Sequence, residues 1–180
     1  MGWTKALTVL GAAAAALQPV AVSAQQACVT EEEAGAIAIY SVPSLVQAVR
    51  LRCDGQLSPN GFLARSGNDL INRYGPVQSQ AWPEAKSGLI KVLTSKAGAA
   101  QRPGNLEMIR SLPDDAVRPL IDALIVQETS AKIPTGHCGQ VERVIQYVAP
   151  IDPQTASGLL GAIAGLVNHR EFPVCRPRSS

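Results

Sequence analysis

The chain has little with which to do chemistry. Only two histidines, His137 and His169, occur among its 180 residues. It has no Cys-x-x-Cys, no His-Glu-x-x-His, no phosphate-cradling glycine loop and no Gly-x-Ser-x-Gly. The usual thiol-redox, zinc-hydrolase, nucleotide-binding and serine-hydrolase templates are therefore unmet. Aromatics are scarce, with two Trp, three Tyr and two Phe, which is thin material for a sugar-stacking platform or an aromatic cofactor box. Charge of either sign is sparse and balanced, 16 Lys and Arg against 14 Asp and Glu with no long run of one sign. That speaks against a dedicated nucleic-acid binder, which concentrates its basic residues in a stripe. No segment alternates apolar and polar residues as a half-buried strand would.

What is present begins with a leader. Met1 to Lys5 forms a short charged start and Ala6 to Leu17 an apolar run of signal-peptide length, too short to span a bilayer as a mature helix. Pro19 breaks the run, and Val22 and Ala24 stand at the −3 and −1 positions of a cleavage site. Residues 1–24 are expected to be removed, leaving a single domain over 25–180. Gln25-Gln26-Ala27 before Cys28 does not fit a lipobox. Cleavage removes only Lys5 from the 16 basic residues, so 15 remain against 14 acidic ones and the mature net charge is +1. No second segment reaches membrane-spanning length, so stable membrane insertion is not expected.

The mature chain reads as all-α, a helical bundle of six to eight helices. Thr30 and Glu33 have capping-box spacing, with Glu31 and Glu32 in the first turn. Apolar positions continue through Leu45, Val46 and Val49 to Cys53, and Pro43 marks either a new helix or a kink. Asp54-Gly55 is a stop signal. A short helix is expected after Ser58-Pro59, and Ser66-Gly67-Asn68 and Tyr74-Gly75-Pro76 read as punctuation. A helix from about Val77 to Lys96 follows, then a loop ending in Pro103-Gly104. Further apolar spacing predicts a short helix with Leu106, Ile109 and Leu112. After it come helices from Pro113-Asp114-Asp115 to about Ala131, from Cys138 to Pro150, and from Asp152-Pro153 through Val167.

All four cysteines, Cys28, Cys53, Cys138 and Cys175, follow the leader. Export would place them where disulfides persist, so two bridges are expected. Four cysteines allow three connectivities. If Cys28 and Cys53 flank one antiparallel helix pair, and Cys138 and Cys175 another, two local bridges are favoured, each stabilising by roughly 3–4 kcal/mol.

Several residues invite a sharper reading beside a plainer one. His137, Cys138, His169 and Cys175 have the ligand types of a Cys₂His₂ zinc site, but their spacing matches no familiar finger and export favours oxidation. Asp114 and Asp115, with Glu107 or Asp122, resemble an acid–base pair, though adjacent carboxylates at a helix start usually serve as caps. Gly158, Gly161 and Gly165 lie on or near one helix face, which reads as a helix-pairing or membrane-active face or, in the favoured reading, as ordinary tight packing within the bundle. Arg50, Arg52, Arg65 and Arg73, and Arg170, Arg176 and Arg178 in the tail, offer contacts to an anionic partner or simply a solvated face. Trp82 before Pro83 is either a binding anchor or a helix-start core contact. No catalytic, cofactor or metal residue is assigned.

The segments CVTEEEA, YSVP, RLRC, FLARSG and LPDDAVRPLIDAL resemble those of a group of small exported helical proteins of alphaproteobacteria, to which no activity is attached. The resemblance spans most of the mature chain. It implies an envelope location and brings no site residues with it. The reading is a periplasmic protein, with secretion as the alternative, that binds an envelope protein or a small apolar ligand held between helices. A hydrolase with an unfamiliar site and a purely structural or stress-related envelope protein are the alternatives.

Overall fold

The structure, a computed structural model, describes residues 28–97, 111–167 and 174–175. The expected leader, the loop after residue 97, nearly all of the short helix ending at Leu112, and the tail residues His169, Arg170, Phe172, Arg176 and Arg178 lie outside the described residues. Within them there are five α-helices: α1 Glu31–Arg52, α2 Phe62–Ala97, α3 Asp114–Lys132, α4 Cys138–Val148 and α5 Pro153–Val167. A 3₁₀ turn, Thr135–His137, leads into α4. The only β pairing described is an isolated parallel bridge between Val29 and Val174.

The all-α expectation holds, but the count of six to eight helices does not. Interior prolines and glycines, read as punctuation, do not end helices here. Pro43 lies within α1, and Pro76 and Pro83 lie within the 36-residue α2. A proline in a helix interior removes a hydrogen bond and costs about 3 kcal/mol or more. Pro43 removes the helical donor of the Ile39 carbonyl, and the next carbonyl along, that of Tyr40, takes an added bond from Gln78 Nε2 at 3.1 Å. Burial supplies the rest of the compensation. Twelve of the 22 residues of α1 are buried, Pro43 among them. In α2, Leu63, Leu70, Tyr74, Ala85 and Val92 are buried along its length.

α1 is the central helix and touches every other one. Its start is as expected: Thr30 Oγ1 accepts from the Glu33 N–H at 3.1 Å, and Glu33 Oε2 accepts from the Thr30 N–H at 2.9 Å. It ends before Gly55, whose φ of 71° suits glycine. α1 is long and apolar enough to cross a bilayer, yet more than half of its residues are buried against the other helices, while Leu45, Gln47 and Leu51 reach solvent. On one side Ile39, Val46 and Val49 meet Leu63, Leu70, Tyr74 and Ala156. On another, Ala36 and Tyr40 meet Trp82, Ala85, Val117 and Ile121.

α5 crosses α1 at very close range. A Cβ on Gly161 would collide with the Glu31 carbonyl oxygen, and one on Gly35 would lie 2.5 Å from the Ser157 carbonyl oxygen. The glycine face of α5 is thus an intramolecular packing surface at Gly161 and Gly165, whereas Gly158 faces open space. Asp152 caps this helix as its sequence suggests, accepting from the Gln154 and Thr155 N–H groups at 3.1 and 3.0 Å.

The disulfides join Cys28 to Cys175 and Cys53 to Cys138, which corrects the favoured local pairing. The reason is the continuity of α1. Its 22 residues run roughly 33 Å, with Cys28 before one end and Cys53 after the other, while a bridge requires Cα atoms within about 7 Å. α5 runs back along α1 to its N-terminus, so the chain delivers Cys175 to Cys28, where the Cys175 N–H also donates to the Val29 carbonyl at 2.8 Å. Cys138, at the start of α4, meets the other end. The bridges are concentric, with sequence separations of 147 and 85 residues. Taken singly, loops of that size correspond to about 4–5 kcal/mol in the chain-entropy model.

Two outcomes are expected. Peptide mapping without reduction should yield Cys28–Cys175 and Cys53–Cys138 peptides, and Cys28–Cys53 peptides would contradict the continuous α1. Gly161→Ala should lower the thermal midpoint, because overpacking costs about 1–3 kcal/mol against the roughly 1 kcal/mol that alanine gains in helix propensity. Gly158→Ala, with nothing near its Cβ, should be neutral or stabilising. Calorimetry on the pair separates contact from propensity.

Candidate ligand cavity

Glu107 and His169 lie outside the described residues, and among the described ones the chemistry-bearing residues singled out in the sequence are not brought together. His137 is exposed on the 3₁₀ turn, and Cys138 is buried in its bridge to Cys53. Cys175 pairs at the far end of α1, so the Cys–His set is dispersed, and no group of three metal-capable side chains occurs among the described residues. Asp114 is exposed and pairs with Lys86 at 2.8 Å, which holds its carboxyl below the usual range through that hydrogen bond first. Asp115 accepts from the Ala116 N–H at 3.1 Å. Both act at the start of α3 as first-turn carboxylates.

The arginines of the first third are largely ties between helices. Arg52 Nε donates to the Ile133 carbonyl at 2.9 Å, and Arg73 Nη1 to the Ala149 carbonyl at 2.6 Å, so each closes the C-terminal end of another helix. Arg50 donates to Asn68 Oδ1 at 2.8 Å and to the Leu63 carbonyl at 2.7 Å. Arg65 is exposed. Trp82 is 1% exposed, its ring 4.9 Å from that of Tyr40 and beneath the Arg118 guanidinium at 5.1 Å. It is a core contact.

A feature the sequence did not announce is a cavity of about 320 Å³ between α1, α2, α4 and α5. On α1 its wall is Ala38, Ile39, Val42, Leu45 and Val46, positions that recur at helical spacing on one face. Leu70 and Tyr74, one turn apart, come from α2. Ile145, Val148 and Ala149 close it from the α4 end, with Ile151, Ala156, Leu159 and Leu160 completing the wall. Small residues at Ala38, Ala149 and Ala156 leave the space open. The volume lies at the lower end of the range of ligand sites, about 300–1,000 Å³.

The lining is aliphatic except for Tyr74. Burial raises the Tyr74 phenol above its usual pKa of 10, with Asp152 adding to the effect and Arg73 opposing it. Ile39, Val46 and Leu70 form a buried floor, while Leu45, Val148, Leu159 and Leu160 are substantially exposed. These four make an apolar mouth. A second, open cleft of about 770 Å³ lies between α1, α2 and α3. Its polar groups are hydroxyls, carboxamides and a single carboxylate, Asp122, which accepts from Ser44 Oγ at 3.2 Å. The nearby Tyr40 hydroxyl is buried, and burial first, then the charge and hydrogen-bonding of Asp122, push its pKa up against the opposing charge of Arg118.

Sequence reasoning also missed Glu142. Its Oε1 accepts from the Leu63 N–H at 2.8 Å and so caps α2 from 79 residues away. No local signal exists for such a cap. Among the described residues the most deeply placed carboxylate is Glu33, 8% exposed, which receives Lys91 Nζ and Ser87 Oγ at 2.7 Å each. Burial is the largest single influence on Glu33 and would raise its pKa. The bonds from Lys91, Ser87 and the Thr30 N–H together outweigh it, leaving the carboxyl below its ordinary 4.5.

The folded-state pKa of Glu33 therefore lies below its unfolded one. Its contribution to stability is full above the ordinary value of 4.5 and is lost as pH falls through the folded value. Thermal unfolding followed by circular dichroism across acid pH should show this loss. Glu33→Gln should lower stability at neutral pH by about 1–3 kcal/mol and flatten the acid limb. An acid limb unchanged in the variant would contradict the assignment.

No protein-family model, no curated protein and no solved structure matches this chain.

Proposed function

We propose that the chain is an exported envelope protein, working in the periplasm, that binds a small apolar ligand, a single aliphatic chain, in the cavity between α1, α2, α4 and α5. One observation carries the reading: a concave space of about 320 Å³ lined by thirteen aliphatic residues and one tyrosine. Binding sites for small molecules are typically concave and mostly apolar, with few polar groups. An aliphatic chain gains by leaving water at about 0.8 kcal/mol per methylene buried, and this wall asks for no polar partner in return. Catalysis would need convergent carboxylate, imidazole or thiolate groups, and none of these lines the cavity. Two disulfides with no free cysteine among the described residues suit an oxidising compartment. The leader read from the sequence supports the same location.

The test is calorimetric titration of the oxidised protein with dodecanoic acid kept below its micellar concentration. Saturable binding is expected. Ala156→Phe and Ala38→Leu each put side-chain volume into the cavity and should weaken binding by at least about tenfold, or 1.4 kcal/mol, while far-ultraviolet circular dichroism shows the helices intact. Binding that both substitutions leave unchanged, or no uptake of dodecanoic acid by the unsubstituted protein, would overturn the reading.

A further inference from the structure

α5 has two apolar sides. At 100° per residue, Gly161 and Gly165 point towards α1, where the close approach occupies them. The opposite arc holds Leu159, Leu160, Ile163, Leu166 and Val167, all exposed, Leu166 at 85%. None of the fifteen residues of α5 is charged. On α4, Val144 and Tyr147 are exposed beside Val148, Tyr147 at 77%. Eight exposed large apolar side chains on two helices, three of them meeting at the cavity, go beyond the singly scattered apolar residues of ordinary surface and mark a site of interaction.

This face is continuous with the cavity mouth. Val148, Leu159 and Leu160 belong to both, since they line the cavity and are exposed. Ile163 and Val167 extend the α5 stripe one and two turns beyond Leu159 and Leu160. The charges of α4 are arranged to match. Glu142 is turned inward as the cap of α2, and the remaining charged residue, Arg143, is exposed at the edge of the arc next to Tyr147.

We propose that this face of α4 and α5 docks reversibly on the surface of a lipid bilayer, so that an aliphatic chain passes between bilayer and cavity without crossing water. The proposal rests on the cavity reading above. A folded protein partner seated on the same residues would seal the mouth, whereas a bilayer offers it the chemistry its lining accepts. Aliphatic side chains and a tyrosine ring at the water boundary suit the interfacial zone. The outward Arg143 suits anionic headgroups, while its neighbour Glu142 is engaged by the Leu63 N–H.

The experiment uses the full exported chain and vesicles of phosphatidylethanolamine with a minor share of phosphatidylglycerol. Co-flotation measures docking. Transfer of pyrene-labelled dodecanoic acid from vesicles to protein measures delivery, and its rate should rise with vesicle concentration if transfer occurs during contact. The triple variant Tyr147→Ser, Ile163→Gln, Leu166→Gln alters exposed positions outside the cavity wall. It should lose about tenfold or more in both readouts while binding unlabelled dodecanoic acid from water as before. Equal flotation and transfer by the two proteins would overturn the proposal. So would a dimer of the unsubstituted protein that the triple variant abolishes, because the face would then belong to a second copy. Failure to take up dodecanoic acid from water defeats the cavity reading separately, since that measurement contains no vesicles.

Discussion

The fold depends on α1 remaining one helix through Pro43. A break there would have made two short antiparallel helices, brought Cys28 near Cys53 and removed the rod on which the bundle is assembled. Instead the helix runs unbroken from Glu31 to Arg52 with more than half its residues buried. The turn around Pro43 is held by burial and by the Gln78 bond to the Tyr40 carbonyl. Small residues at Ala34, Gly35, Ala36 and Ala48 admit neighbours closely, and larger ones at Ile39, Tyr40 and Val46 fill the gaps between them. The disulfides follow from this rod, one at each end, and each joins it to a part of the chain that comes much later in sequence.

The same rod builds the cavity. Its Ala38–Val46 face supplies the longest stretch of wall, while α5 is drawn tight against α1 near Glu31 by paired glycines. Close contact at the N-terminal end, and alanines rather than leucines at positions 38 and 156, leave aliphatic space open further along. The exposed leucines of α5 belong to this arrangement. A helix whose glycine side is taken up by packing must present its leucine side elsewhere, and that side meets the cavity at its mouth.

Legibility in the sequence followed the range of each interaction. The Thr30–Glu33 capping box, the Asp152 cap and the Asp54-Gly55 stop are local, and each stands as expected. Helix faces were readable from apolar spacing for the same reason. The errors came where tertiary packing overrides a local preference. Tyr74-Gly75-Pro76 reads as a break and Pro43 as either a break or a kink because a proline's cost is intrinsic, while what offsets it comes from residues far along the chain. The pairing of the cysteines inherited that error. Glu142, which caps a helix 79 residues away, and the arginines that close other helices have no signature in their own neighbourhoods. The cavity is the extreme case, since its wall joins residues from Ala38 to Leu160.

The most direct measurement is native mass spectrometry of the protein taken from the cell envelope without reduction and without added detergent or lipid. The account predicts the oxidised chain carrying a small non-covalent mass that is lost on denaturation, extracts into organic solvent and consists of an aliphatic chain. A bare oxidised chain, with nothing released on unfolding, would contradict it.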